Sequence, residues 1–316
     1  MISIVIPTRW NWDTTKLFNL LESLKKQTIT PSQVIIVIDF DVAKTPLLEK
    51  ISKIKFDFEV KVVTQNGYGV CAARNFGVQK VSSEYVVVCD DDIYFHEVDI
   101  FERMLDQYTQ EIRNNDGGVI LYPTILLSNT GKIQSQGFTG YNWLLCRPIP
   151  KFGSEWKSKL RQSLGLNKLF KPSQKDEIQL SGNICLFSSR DTFIHNQRDE
   201  NFGFIYEDLE WSYRAHKNKI TLINPEEIEI QHRERKKDKL SLAFISTPEQ
   251  VYLKTKHRIW FVLKHANIFQ KLLFYCFGFW ISNLWTLAMI VVYGKRKNSM
   301  IASLRKGIGD GLAMEG

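Results

Sequence analysis

The sequence predicts an α/β fold: a largely parallel central sheet with helices on both faces, then a mostly helical, hydrophobic C-terminal region. Three observations predict it. Short β-branched runs alternate with helical patterns through the first third of the chain. Those runs are continuously apolar, as strands buried on both faces are. Further on, positions 272–293 form 22 consecutive residues without a charge, enough to cross a bilayer.

The elements follow in order. Ile2–Ile6 reads as a buried strand. Thr14–Gln27 reads as an amphipathic helix with Leu17, Leu20, Leu21 and Leu24 on one face. Val34–Ile38 is a strand closed by Asp39, and Phe58–Val63 is a third. A turn at Gly67-Tyr68-Gly69 precedes a helix over Cys71–Gln79. Tyr85–Cys89 is a strand that runs into Asp90-Asp91-Asp92. Open parallel sheets bind ligands at the carboxyl ends of their strands. Thr8, Asp39 and Asp90–Asp92 all fall at such ends. From Val119 to Pro225 apolar segments alternate with long loops. The stretch 151–175 carries seven Lys/Arg against one Glu, with Trp156, Leu160 and Leu164 at helical spacing. It reads either as a solvated loop or as a mobile basic flap over phosphate or a lipid headgroup. The expected organisation is one domain over 1–235, with halves of about 1–118 and 119–235, and a helical region over 236–316.

Composition narrows the classes. Among 316 residues, 44% are hydrophobic, which excludes a mainly disordered chain. The net charge of +8 favours anionic partners: nucleic acid, nucleotide phosphates or an acidic membrane surface. The five cysteines are odd in number, dispersed and without a Cys-x-x-Cys pair. They read as reduced and mostly buried, pointing to a cytosolic active domain. No leader pattern precedes the first strand, so the chain is expected to open directly into the fold.

The uncharged segment is flanked by Lys264 and Lys271 before it and Lys295, Arg296 and Lys297 after it. A single span would leave one basic flank on the wrong side. A re-entrant or interfacial hairpin, broken near Ser282-Asn283, suits the charges better. The expectation is a peripheral, monotopic or re-entrant attachment through about 268–293; a buried helical pair is the alternative.

Four constellations carry chemistry. Three adjacent carboxylates repel one another unless a cation compensates, and hard oxygen ligands suit Mg²⁺ or Mn²⁺. Glu207 and Asp208 open a helical pattern through Arg214, where the dipole favours carboxylates and an Asp is placed to act as a general base. His232 ends an alternating apolar stretch and is either structural or a ligand completing a Mn²⁺ shell. Asp39 and Arg74 are candidates for a base or ribose and for a diphosphate.

Taken together, these pieces resemble the family 2 glycosyltransferases of GT-A fold, over residues 2 to about 235. Ser3-Ile4-Val5-Ile6-Pro7-Thr8 looks like the family's opening strand. Gly69-Val70-Cys71-Ala72-Ala73-Arg74-Asn75-Phe76-Gly77 looks like its Ala-Arg-Asn-x-Gly segment. Cys89-Asp90-Asp91-Asp92 matches its Asp-x-Asp metal motif, and Ser181-Gly182-Asn183-Ile184 its small-residue turn. Phe202 to Arg214 resembles the Glu-Asp helix start, with His232 at the late histidine position. Phe40-Asp41 departs from the small polar residues usual there. The segments Lys256–Phe261 and Gly307–Leu312 are similar to tails of bacterial rhamnosyltransferase-like members.

The resemblance implies roles. Thr8, Asp39 and Arg74 contact the nucleotide and Asp90 its ribose. Asp92, with Asp91 as the alternative, binds Mn²⁺ or Mg²⁺ together with His232. Asp208 is the catalytic base; Gly182, Asn183 and Glu207 line the donor–acceptor junction. The implied reaction moves a sugar, with inversion, from a nucleotide-diphosphate sugar to a hydroxyl of a glycan or lipid-linked saccharide. It belongs to surface polysaccharide synthesis at the cytoplasmic face of a membrane. Two rivals stand beside it. A nucleotidyltransferase needs a Gly-rich triphosphate loop near residues 6–16, which is missing. A non-catalytic membrane or nucleic-acid module conflicts, for nucleic acid, with three aspartates that repel phosphates.

Overall fold

A computed structural model of the chain describes residues 1–8, 14–39, 47–115, 117–150, 180–182, 184–233 and 245–314. The basic stretch 151–175, Phe40-Asp41 and Asn183 lie outside the described residues. Two compact units are formed. The first comprises Met1–Thr139, Pro150–Gly203 and Trp211–Glu234; the second comprises Gly140–Ile149, Phe204–Glu210 and Arg235–Gly316.

In chain order, β1 (Ile2–Thr8) leads to α1 (Thr14–Leu24), β2 (Gln33–Ile38), α2 (Leu47–Ser52) and β3 (Glu59–Thr64). Then come α3 (Gly69–Lys80), β4 (Tyr85–Cys89), β5 (Ile93–Tyr94) and α4 (Ile100–Asn114). Short strands β6 (Val119–Leu121), β7 (Thr124–Leu127) and β8 (Ile133–Ser135) precede a hairpin of β9 (Phe138–Asn142) and β10 (Arg147–Pro150). β11 (Cys185–Ser189), α5 (Arg190–His195), α6 (Glu207–Lys217), β12 (Thr221–Ile223) and β13 (Glu229–His232) follow.

The main sheet has seven strands in the order β12-β6-β11-β4-β1-β2-β3. It is parallel except at β11, which runs antiparallel to β4 and β6. A second sheet of four strands has the order β5-β13-β7-β8.

The continuous apolar runs of β1, β2 and β4 are explained by their position between two cores. Ile4, Ile6, Ile36 and Val87 pack with Leu17, Leu20, Leu21 and Leu24 of α1 and Phe101 and Met104 of α4. Val5, Ile35, Val37 and Val88 face the other way, against Ala73 and Val78 of α3 with Phe193 and Trp211. Each such fully buried side chain contributes about 1.5–3 kcal/mol over an exposed one. Gly77 is fixed by contact: a Cβ there would lie 2.3 Å from Val5 Cγ1, so only glycine lets α3 lie this close to the sheet.

The C-terminal part of the second unit is helical: α7 (Pro248–His265), α8 (Ile268–Leu273), a π-helical turn over Phe274–Gly278, α9 (Phe279–Tyr293) and α10 (Lys297–Ala313). Thr247 caps α7 through its side chain, with Pro248 in the first turn. Asn267 and Gln270 form a capping box on α8. Gly307 and Gly311, four apart on one face of α10, meet the backbone of α7; added Cβ atoms would lie 2.7 Å from Tyr252 O and 2.9 Å from Lys256 O.

The break expected at Ser282-Asn283 does not occur. Those side chains turn back onto their own helix instead. Ser282 Oγ donates to Gly278 O at 2.6 Å, and Asn283 Nδ2 donates to Phe279 O at 2.9 Å. Residues 268–293 therefore run as one helix of 26 residues, long and apolar enough to cross a membrane by length and composition.

Candidate active site

The three aspartates follow β4, beside β1 in parallel register, with Val5 opposite Val88. Continuing that register brings Thr8 level with Asp91. Each carboxylate takes a different partner. Arg74, on α3 and almost fully buried, places Nη2 2.7 Å from Asp90 Oδ1. Thr8 Oγ1 donates to Asp91 Oδ2. Asp92 is held on both oxygens: His232 Nε2 lies 3.1 Å from Oδ1 and Lys16 Nζ 3.0 Å from Oδ2.

The backbone fixes this spread. Asp90 N donates to Ile184 O at 2.9 Å, tying the triad to the turn before β11. Arg233 N donates to Asp92 O at 3.0 Å, and His232 pairs with Ile93 in the β13–β5 ladder. Thus β13 brings His232 to Asp92 across 140 residues of sequence.

Electrostatics separate the three. Burial pushes Asp90 above the ordinary carboxylate range, while the Arg74 guanidinium pulls it back. Burial raises Asp91 to about 6; the Thr8 hydrogen bond opposes this, and the neighbouring Asp92 and Asp90 charges add to it. Burial also acts upward on Asp92, but the hydrogen bond and charge of His232, then those of Lys16, outweigh it and hold the group at about 2.

For a divalent ion the donor chemistry is a carboxylate and an imidazole. His232 Nδ1 lies 2.8 Å from Gln134 Oε1. An oxygen acceptor there keeps the proton on Nδ1 and leaves Nε2 facing Asp92 Oδ1. Two acceptors so close need a proton or a cation between them, so Asp92 and His232 fit a hard or borderline divalent ion. Asp91 takes a different partner in this structure. Its carboxylate is turned to Thr8, and among the described residues no three His, Cys, Asp or Glu side chains converge as a cation cluster. A cleft of about 400 Å³ adjoins the pair, lined by Lys16, Asn19, Asp92, Tyr94, Asn129 and Arg233.

The remaining expected residues are placed as follows. Asp39 is exposed just after β2. Gly182 is half-buried and beside Ser181, whose Oγ lies 3.2 Å from Ser212 Oγ. Asn75, next to Arg74, is a staple: Nδ2 donates to Arg198 O and Glu200 Oε1, and Oδ1 accepts from Arg198 N.

Glu207 and Asp208 belong to the second unit and open α6. The turn before them is strained. Ile205 and Tyr206 both take positive φ, 62° and 73°, costly for a β-branched and an aromatic residue. His257 Nδ1 lies 3.0 Å from Phe204 O and 2.8 Å from Ile205 O, and Tyr206 Oη donates to Cys146 O at 3.0 Å. In the same unit Glu210 is buried between Lys264 Nζ at 3.1 Å and His265 Nε2 at 3.2 Å. Arg214 donates to Asn196 Oδ1 and Gln197 O.

Sequence reasoning missed Lys16, Gln134 and His257. Lys16 had a usable signal: it stands on the apolar stripe of α1, four residues before Leu20 and eight before Leu24. Gln134 had none, since only the β7–β8 hairpin brings it to His232.

Comparison with known proteins settles the family. Residues 3–161 match the sequence profile of Glycosyl transferase family 2. The chain belongs to that family. Membership in that family favours sugar transfer over the nucleotidyltransferase and non-catalytic readings. It is also 30% identical over 122 residues to the uncharacterized glycosyltransferase YwdF of Bacillus subtilis (strain 168). That stretch covers 38% of this chain and 43% of YwdF, so the glycosyltransferase spans less than half of that relative.

Among solved structures, S. aureus TarS 1-349 in complex with UDP-GlcNAc aligns with 98% of this chain and 80% of its own, at a TM-score of 0.52 and 16% identity. Longer S. aureus TarS aligns with 99% of this chain and 48% of its own, at 0.52 and 15%. These likenesses bear out the GT-A fold.

Proposed function

We propose that this glycosyltransferase moves a sugar from a nucleotide-diphosphate sugar to a hydroxyl of a glycan or lipid-linked saccharide, with inversion and with Mn²⁺ or Mg²⁺. The observation that carries the reading is the division of the triad: Asp90 on Arg74, Asp91 on Thr8, Asp92 on His232. Carboxylates held apart at a strand end suit separate tasks on one polar ligand. Arg74 and Asp90 serve the nucleotide and ribose, and Thr8 and Asp39 also contact the nucleotide. Asp92 and His232 hold the metal. When bound, a divalent ion offsets charge growing on the departing diphosphate. Asp208 takes the proton from the acceptor hydroxyl as that oxygen attacks the anomeric carbon. Gly182, Asn183 and Glu207 line the junction of donor and acceptor.

A nucleotide-diphosphate sugar, UDP-GlcNAc, is also the ligand in the complex of S. aureus TarS 1-349. The proposed setting is a membrane surface, on the cytoplasmic face, in surface polysaccharide synthesis; the second unit supports the membrane part. Its helix over 268–293 exposes Trp280, Leu284 and Val292 and has Lys264, Lys271, Lys295, Arg296 and Lys297 around its ends. The testing experiment is sugar transfer from a panel of nucleotide-sugars, with and without excess EDTA. The reading expects transfer that chelation abolishes and Mn²⁺ restores. Full activity in EDTA removes the metal from it.

A further inference from the structure

Lys16 is where a lysine should not be. Its neighbours on α1, Leu17, Leu20, Leu21 and Leu24, are all buried in the core, and Lys16 itself is only 9% exposed. An ammonium taken this far out of water is costly unless paired. Its partner is Asp92 Oδ2 at 3.0 Å, on a carboxylate whose other oxygen faces His232. The helix thus gives up an apolar position to bring a fixed positive charge to the one aspartate assigned to the metal.

We propose that Lys16 is a resident cation: it neutralises Asp92 until a divalent ion takes that carboxylate, and so sets the site's affinity for the ion. The inference rests on the metal reading above. A cation on Asp92 either displaces the ammonium from Oδ2 or binds Oδ1 with a like charge across the same carboxylate. Both weaken binding. Without Lys16, Asp92 faces the cleft with one positive charge fewer on its carboxylate. Lys16 lines that cleft, so an ammonium released from Asp92 is already beside space open to an anionic diphosphate. The site is thereby biased against binding metal alone.

The test is Mn²⁺ alone, without donor, titrated into the full chain and followed by the electron paramagnetic resonance of free Mn²⁺. Wild type is compared with Lys16→Met, Lys16→Arg and Asp92→Asn. Lys16→Met should bind Mn²⁺ more tightly by on the order of tenfold, since a like charge is removed. Lys16→Arg, which keeps the charge, should stay close to wild type, and Asp92→Asn should lose binding. Methionine suits an apolar stripe; if Lys16→Met does not fold, Lys16→Gln carries the same comparison. Equal or weaker binding by the uncharged variant overturns the inference and leaves Asp92 as a ligand. No binding by wild type or any variant overturns the metal reading, and the inference with it. A lysine that merely supported the fold would not tighten metal binding on removal.

Discussion

The two compact units place tryptophans differently. In the first, Trp211 is fully buried and the carboxylates gather at strand ends. In the second, Trp280 is 59% exposed while Ser282, Asn283 and Thr286 of the same helix are buried. Polar groups inside and aromatic groups outside is the order expected of a surface that meets hydrocarbon. These buried polar groups have partners. Arg258 Nη2 donates to Asn283 Oδ1 at 2.5 Å, and Thr286 Oγ1 donates to Ser282 O at 2.8 Å. The contrast is one of packing: Trp211 is core in the first unit, while the 268–293 helix of the second turns much of its apolar side outward.

Substitutions break or sharpen that contrast, and their effects descend in size. Asp208→Asn should lower transfer by roughly 10²–10⁴-fold if it is the base, with nucleotide-diphosphate binding retained, as steady-state kinetics and calorimetry would read. Wild-type turnover would remove Asp208 from the role. Trp211→Ala should cost about 3–5 kcal/mol in denaturant unfolding, because it empties the core and frees Asn196 O from Nε1. Asn283→Leu should cost about 3 kcal/mol by leaving Arg258 less compensated in the interior; no loss would mean that the buried polar set contributes nothing.

Acidity comes next. Asp91, at about 6 in the folded state and 3.8 as its ordinary value, keeps its proton longer when folded. Its stabilising contribution is full below about pH 4 and lost as pH rises through about 6, at most about 3 kcal/mol. Asp92, lowered to about 2, has the reverse sign: its contribution is present above about 4 and lost as pH falls toward 2. Denaturation in chelator from pH 4 to 7 should show the first decline, and Asp91→Asn should flatten it. Smallest of all, Trp280→Ala should change stability by under about 0.5 kcal/mol yet reduce binding to anionic vesicles. A stability loss like that of Trp211→Ala would show Trp280 to be core.

Much of the first unit was legible in the sequence. Tyr85–Cys89 coincides with β4, and the other early strands differ from their expected ends by one or two residues, because uninterrupted Val and Ile admit little but a buried strand. β11 was not legible as antiparallel, since direction comes from pairing with distant β4 and β6. The pairs Arg74–Asp90 and Asp92–His232 joined residues already singled out, whereas the partner of Asp91 was not foreseen. Thr8 is that partner, a consequence of strand register that spacing alone does not reveal. The helical run through Ser282-Asn283 was misjudged because polar side chains look like a break, yet here they satisfy carbonyls of their own helix.

The central claim is that Asp92 carries a divalent ion for a nucleotide-diphosphate ligand. A thermal-shift titration of wild type and Asp92→Asn with Mn²⁺, nucleotide diphosphates and both together tests it most directly, since ligands that favour the folded state raise its stability. Mn²⁺ and diphosphate together should raise the wild-type melting temperature beyond either alone, and Asp92→Asn should lose the metal increment. An increment that persists in Asp92→Asn, or is missing from wild type, contradicts it.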